Sequence, residues 1–214
     1  MGIYRMTLVF LLIMALTVGV QADSLHEAVK KRDIETVRLL IKTGADLNAW
    51  DRTDGWTPLH MAVYHGYTDI AEILVNAGAN VDGKDQYNNA PLHYGALLGR
   101  KDTVRLLIDK GADVNIKGSD GIIPLHSAIS KDHLETAKLL IEKGSNVNFK
   151  ADDGDTPLHT ASAFNCLRTA KLLIEKGAHV NAKTREGETP LYFAIKNGHN
   201  EMAGLLRRHG AKSQ

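Results

Sequence analysis

The sequence predicts an all-α solenoid of six helix-turn-helix units with extended turns between units. Two phased series and one recurring pattern point to it. Proline-centred tetrads read Thr57-Pro58-Leu59-His60, Ala90-Pro91-Leu92-His93, Ile123-Pro124-Leu125-His126, Thr156-Pro157-Leu158-His159 and Thr189-Pro190-Leu191-Tyr192, each proline 33 residues after the last. Gly44, Gly78, Gly111, Gly144, Gly177 and Gly210 run in step with them. Between the series lie apolar runs such as Val104-Arg105-Leu106-Leu107-Ile108 and Thr169-Ala170-Lys171-Leu172-Leu173-Ile174. A period of this length marks a solenoid, in which each unit packs only on its neighbours.

The chain has 214 residues, and residues 1–22 read as a leader rather than part of the fold. Arg5 precedes an apolar run from Thr7 to Val20, and Val20-Gln21-Ala22 places small residues before a cut. This is the layout of a secretory signal peptide cleaved after Ala22. The alternative is an uncleaved membrane anchor, although the run is shorter than the roughly 20 apolar residues a spanning helix needs. The mature product would be residues 23–214, with units at about 23–52, 53–85, 86–118, 119–151, 152–184 and 185–214. Of the 26 basic residues only Arg5 is lost with the leader, so 25 basic and 25 acidic residues balance. A neutral chain has no general electrostatic footprint for nucleic acid. Cys166 is the single cysteine, so no internal disulfide can form and packing must hold the exported chain. It can pair only with another chain, or else sit as a small semi-buried residue in an inter-helix turn.

Thr57 caps a helix, and Pro58 takes the first helical position, where a missing N–H costs nothing. Leu59, Ala62 and Val63 form an apolar stripe that ends near Gly66. A second helix runs from Thr68 to Asn76, with Ile70, Ile73 and Leu74 inward, and Gly78 closes it in the left-handed conformation. The turn between the helices recurs as Gly66, Gly99, Asp132, Asn165 and Gly198, residue types that tolerate positive φ.

These residues resemble the ankyrin repeat family, whose unit carries Thr-Pro-Leu-His and a Gly-Ala-Asp-Val-Asn element after the second helix. The latter is present as Gly44-Ala45-Asp46-Leu47-Asn48, Gly111-Ala112-Asp113-Val114-Asn115 and Gly177-Ala178-His179-Val180-Asn181. The resemblance covers Asp23 to about Lys212 and is specific for fold; it is nearly silent on function. The first unit lacks the tetrad, starts at Leu25-His26-Glu27-Ala28 and is similar to a capping repeat with polar Lys30, Lys31 and Arg32 outside. One extra residue lies near Arg52-Thr53. Ala90 and Ile123 replace the capping threonine, so those helix starts are expected to be weaker. The last unit carries Tyr192 for histidine and the polar Glu201, Arg207 and Arg208, as a terminal cap should.

His60, His93, His126 and His159 fall one unit apart, about 10 Å in a stack of helices, too far to share a metal whose ligand bonds are near 2 Å. The resemblance implies that they hydrogen-bond the backbone of the adjoining turn, and burial is expected to hold them neutral. No zinc-protease, phosphate-loop or nucleophile-elbow motif occurs, so neither catalytic activity, a cofactor nor a metal is expected.

The resemblance also implies that the turn tips and first helices line a concave, partner-binding face. Mapped onto this chain, the residues left free by the repeat pattern include Arg52, Trp56, Tyr64, His65, Gln86, Tyr87, Asn89, Leu98, Asp120, Ile122 and Phe164. Trp56, Tyr64 and Tyr87 are expected to anchor a partner, with Arg52, His65 and Gln86 at the rim. Leu97 and Leu98 fit packing between units as well as binding. The tips of the later units are acidic, at Asp152, Asp153 and Asp155. Trp50 is expected to pack across the first turn. The function expected is that of an exported, monomeric protein-interaction module whose partner lies outside the cytoplasm, secreted or periplasmic; the alternative is a secreted effector or inhibitor of a host or competitor protein.

Overall fold

The structure is a computed structural model describing residues 25–212. The expected leader and its cleavage site fall outside the described residues. Helix α1 covers residues 25–30. It is followed by α2 (Ile34–Lys42), α3 (Pro58–His65), α4 (Thr68–Asn76), α5 (Pro91–Leu97), α6 (Lys101–Asp109), α7 (Pro124–Ser130), α8 (Leu134–Glu142), α9 (Pro157–Ala163), α10 (Leu167–Glu175), α11 (Pro190–Lys196) and α12 (Asn200–Arg208). A single 3-10 turn, Ser119–Gly121, interrupts the link before α7, and no strand occurs among the described residues. The first helices α3, α5, α7, α9 and α11 form one layer, and the second helices α2 to α12 form the other; each helix packs on its own partner and on its counterpart one unit away. Leu59, Leu92, Leu125, Leu158 and Leu191, one from each tetrad, are buried in a core that runs the length of the stack. A helix pair this small has no core of its own, so burial is complete only in the stack.

The tetrad histidine joins neighbouring units. The Thr57 backbone N–H donates to His60 Nδ1 at 3.2 Å, which leaves the ring proton on Nε2 to donate to the Asn89 carbonyl of the next unit at 3.0 Å. His93 reaches the Ile122 carbonyl at 3.2 Å, and His159 reaches that of Glu188 at 3.2 Å. The first unit does the same without a proline: His26 Nε2 lies 2.8 Å from the Trp56 carbonyl. His26 is thus the first rung of the ladder, a role the sequence reading did not give it. At Ala90 and Ile123 the side-chain cap bond is absent, as expected. The threonine hydroxyl is gone, but the backbone N–H groups of Ala90 and Ile123 still donate to Nδ1 of His93 and His126, at 3.2 and 3.3 Å. Both helices begin at their prolines.

Two turn series carry positive φ. In the inter-helix turn, Gly66, Gly99, Asp132, Asn165 and Gly198 all do so as expected, and Arg32 joins them at φ 55°. A non-glycine residue there is strained; Arg32 is held by an ion pair to Asp69 at 2.9 Å and by its place over the Tyr67 ring. The second series, at the tips between units, is Gly55, Asn88, Gly121, Gly154 and Gly187. Backbone bonds tie successive tips together, as Arg185 N–H to the Asp153 carbonyl at 2.8 Å and Asp152 N–H to that of Asp120 at 2.9 Å. At Gly154 an added Cβ would stand 2.9 Å from the Arg185 nitrogen, so only glycine lets the tips approach this closely.

A second polar ladder follows the second helices. Asn115 accepts from the Asn146 N–H at 2.8 Å and donates from its amide to the Gly144 carbonyl at 3.2 Å. Asn148 and Asn181 repeat both bonds to the next unit. Asp82 stands in this register and accepts from Asp113 N–H at 3.2 Å, but a carboxylate has nothing to donate. Burial, and secondarily the nearby Asp113 charge, raise its pKa. Asp82→Asn supplies the missing donor and removes a disfavoured charge. It is expected to stabilise the stack at pH 7 by about 1 kcal/mol, read as a higher urea midpoint with an unchanged slope; a lower midpoint refutes the account.

Burial lowers the pKa of His60, His93, His126 and His159, those of His93 and His126 to about 4. The folded values lie below the unfolded value of about 6.5, so the unfolded chain binds more protons and stability falls as pH drops from about 6.5 toward 4. Between about pH 7.5 and 5 each of His93 and His126 is expected to account for on the order of 1–2 kcal/mol of that loss. Equilibrium unfolding across this range checks it: a His93→Gln, His126→Gln double variant flattens the profile, and an unchanged slope excludes these rings as its source.

Candidate functional site

The face made by the first helices and the turn tips begins with an aromatic cluster. Tyr64, at the C-terminal end of α3, projects from a helix whose inner side is fully committed to the core through Leu59, Ala62 and Val63. Trp56 precedes the Thr57 cap and lies with its ring centre 4.8 Å from that of Tyr64 and 5.1 Å from that of Tyr94 on α5. Trp56 is half-buried, and its indole N–H has no acceptor in hydrogen-bonding alignment. Trp56, expected to anchor a partner, also supports the exposed rings, since it packs on both Tyr64 and Tyr94. Tyr64 is 40% exposed and Tyr87, at the next turn tip, 53%.

Tyr94 was missed in the sequence because it follows a tetrad and reads as part of the repeat. Its hydroxyl donates to Asp85 at 2.5 Å. Burial first, then this bond to Asp85, pushes the phenol up to about 12. Asp85 is itself buried and accepts from the backbone N–H groups of Tyr87 and Asn89, both at 2.9 Å. One carboxylate thus sets the loop that presents Tyr87 and the ring that supports Trp56.

The remaining expected residues divide. Arg52, His65, Gln86, Asp120 and Phe164 are exposed. His65 stacks on Tyr67 and meets the edge of Tyr64, while Gln86 donates from its side chain to the Thr53 carbonyl at 3.1 Å. Asp120 sits in the 3-10 turn with φ 53°. Phe164, 60% exposed, lies two units beyond the aromatic cluster. Asn89, Leu98 and Ile122 are half-buried. The Asn89 side chain accepts from Ser119 N–H at 3.1 Å, which makes Asn89 a joint between turns as well as a surface residue. Trp50 packs across the first turn, 3.3 Å from where a Cβ on Gly55 would stand, and keeps 58% exposure.

Past Tyr94 the face opens into a groove of about 290 Å³ between α5, α7 and α9. The acidic tips follow. Burial, with the Asp153 and Glu188 charges behind it, pushes the half-buried Asp155 carboxyl up to about 6. Lysines interleave with these acids at the repeat interval, and Lys117, Lys150, Lys183 and Arg185 line a second groove of about 400 Å³. The later tips are therefore mixed in charge rather than acidic. Cys166 is buried, donates to the Ile129 carbonyl at 3.2 Å and has its thiol pushed up to about 12 by burial, with Asp132 adding to it. Among the described residues, no group of three histidine, cysteine, aspartate or glutamate side chains could hold a metal ion, and no helix is long and apolar enough to cross a membrane.

Stacked helix pairs carrying one continuous face of free side chains define a docking scaffold. A family profile described as ankyrin repeats (3 copies) matches residues 25–118 and again 125–214, and the chain belongs to the ankyrin repeat family. It is similar to mouse protein phosphatase 1 regulatory subunit 27, 52% identical over 59 residues, which are 28% of this chain and 38% of that protein. It is also similar to mouse 2-5A-dependent ribonuclease, 47% identical over 64 residues, 30% of this chain and 9% of that one. The Notch-regulated ankyrin repeat-containing protein of Xenopus tropicalis is 44% identical over 52 residues, 24% of this chain and 45% of that protein. The matches span under half the length of each of these relatives.

Alanine substitutions separate support from surface. Trp56→Ala is expected to lower stability by about 2 kcal/mol, since it empties a half-buried ring site. Tyr87→Ala stays within about 0.5 kcal/mol of the parent. Chemical denaturation of both variants checks this, and a Tyr87→Ala loss as large as that of Trp56→Ala would assign Tyr87 to packing.

Proposed function

We propose that this chain is an exported protein-interaction module that binds its partner through the first-helix face and does so as a monomer, without catalysis of its own. Ankyrin repeats are in general binding rather than catalytic modules, and one relative is by name a regulatory subunit. The observation that carries the reading is the pair Tyr64 and Tyr87, large rings left 40% and 53% exposed on a support that Trp56, Tyr94 and Asp85 immobilise. Rigid aromatics give much contact area for little side-chain entropy, and interfaces centre on them. The neutral mature composition favours a protein partner over nucleic acid. The export half of the proposal rests on the apolar run Thr7 to Val20 and the small residues before Asp23; it places the partner outside the cytoplasm.

One experiment addresses both halves. Full-length protein is expressed in its native cell, its N-terminus is read by mass spectrometry, and the mature form is used to capture partners. A chain beginning at Asp23 is expected; intact Met1 in the membrane fraction refutes cleavage. A Tyr64→Ala, Tyr87→Ala variant that melts like the parent should lose at least about 2 kcal/mol of affinity if these rings are hot spots. Capture at full strength by the folded variant rules out this surface.

A further inference from the structure

A row of uncompensated positive charge runs along the turn tips. Lys84, Lys117, Lys150 and Lys183 recur every 33 residues, each just before the tip of its unit. The last three are exposed and, with Arg185, line the groove of about 400 Å³ against a single carboxylate, that of Asp152. The chain as a whole is close to neutral, so the row is a local feature. On the second helices, lysines that bridge units are paired: Lys143 with Asp109 at 2.6 Å and Lys101 with Glu135 at 3.5 Å. Among the described residues no carboxylate pairs with the tip cations. Neutral groups hold them instead. Lys84 Nζ donates to the Lys117 carbonyl at 2.7 Å, Lys150 Nζ donates to the Lys183 carbonyl at 3.4 Å, and the Lys117 ammonium stands 5.5 Å from the centre of the Phe149 ring. Each contact reaches one unit forward, so these ammonium groups are fixed in the register of the stack and keep their charge.

The backbone donors along the groove are spent. Asp152 N–H goes to the Asp120 carbonyl at 2.9 Å, Gly154 N–H to that of Ala151 at 2.9 Å and Arg185 N–H to that of Asp153 at 2.8 Å. Recognition is left to the ammonium and guanidinium groups, which call for an anion. Neighbouring units lie about 10 Å apart, so Lys117 to Lys183 spans about 20 Å. Spread over that length, the groove has a cross-section of about 20 Å², against roughly 80 Å² for a helix 10 Å across. One extended chain fits it and a helix does not. A polyproline II chain has three residues per turn and rises about 3.1 Å per residue, so every third side chain falls on one edge, about 9 Å apart. That matches the interval between units. A β-strand repeats a face every two residues, about 7 Å, and loses register within two units.

From charge, width and spacing we infer that the tip row binds an acidic segment of the partner protein in polyproline II conformation, with glutamate or aspartate at every third position. Successive carboxylates would meet Lys117, Lys150 and Lys183. One exposed charge pair adds only a few-fold to affinity, so the pairs act as a set and also speed encounter. A nucleic-acid strand carries a charge about every 3.4 Å; between the cations its phosphates would face Asp152, Asp153 and Glu186, exposed on the same tips. The inference rests on the reading of this chain as a protein-interaction module. It adds a charged contact, and the partner sequence that fits it, to the aromatic one.

The test titrates three peptides into isotope-labelled mature protein at pH 7 and low salt: three repeats of Glu-Pro-Pro, the same with glutamine for glutamate, and a peptide of the first composition with its glutamates contiguous. The Glu-Pro-Pro peptide is expected to give saturable shifts at the Asp152, Gly154, Thr184 and Arg185 amides that weaken as salt is raised. The glutamine peptide should bind at least about tenfold more weakly and the contiguous one about fivefold. Lys150→Gln, Lys183→Gln should melt like the parent and lose about tenfold in affinity; if it melts early, Lys183→Gln, Arg185→Gln, whose side chains bond to nothing else in the chain, replaces it. Lys138→Gln, Lys171→Gln removes the same charge from exposed sites on α8 and α10 and should bind within about twofold of the parent. No saturable shift, equal affinity for all three peptides, or an equal loss in the α8 and α10 variant overturns the inference. Tighter binding of a nine-nucleotide oligouridylate at the same amides assigns the row to nucleic acid and overturns it too. Each of these failures leaves partner capture through Tyr64 and Tyr87 standing. Full partner capture by folded Lys150→Gln, Lys183→Gln, with capture lost in Tyr64→Ala, Tyr87→Ala, overturns the cation row alone.

Discussion

The histidine-to-carbonyl bond between units is the constraint around which the rest of the molecule is arranged. A pair of helices only six to nine residues long cannot close a core. It must lie flat on its neighbours, and the irregular turn between units must bring its backbone groups with it. Those groups cannot be buried unpaired. A neutral ring at the helix start solves both problems, because one nitrogen accepts from its own cap and the other donates to the following turn. The ring has to be neutral and buried to do this, which is why the same bond that builds the stack also makes it sensitive to acid. The asparagine ladder along the second helices performs the matching task on the opposite side of each unit.

The candidate site is what these ladders leave over. Because cap, turn and core positions are all committed, the free side chains fall on one face, at the same places in every unit. What differs between units is size. Large rings fill the early part of the face, small hydroxyl residues open a groove in the middle, and Phe164 and Ile195 return bulk toward the end, 60% and 51% exposed. Asp85 links framework to face: it closes its own turn through the Tyr87 and Asn89 N–H groups and orients Tyr94 through the phenol. A rigid surface of this kind has its ordering cost met at folding rather than at binding.

Local chemistry explains how much could be read beforehand. Proline at the first helical turn, glycine after the last, and glycine, aspartate or asparagine between helices each have a backbone reason that needs no neighbour, so helix limits and most of the positive-φ turns were legible residue by residue. Where a neighbour supplies the reason, the reading failed. Arg32 adopts a conformation its type disfavours because Asp69 and the Tyr67 ring of the next unit hold it there. His26 looks like an ordinary polar residue until Trp56 offers it a carbonyl. The second glycine series, Gly55 to Gly187, was passed over because Asn88 breaks its pattern.

The same division applies to the site. The sequence by itself determined the repeat, its length, its phase and which positions the repeat leaves free, because those depend on periodicity and on backbone preferences that act within a few residues. It also placed Tyr64 and Tyr87 on the surface. Only the tertiary structure decided that Trp56 supports the exposed rings, that Tyr94 belongs to the cluster, and that His26 meets the Trp56 carbonyl. Each of these depends on ring-to-ring and ring-to-carbonyl distances across units, set by how two repeats settle on each other, and no spacing along one chain contains that information.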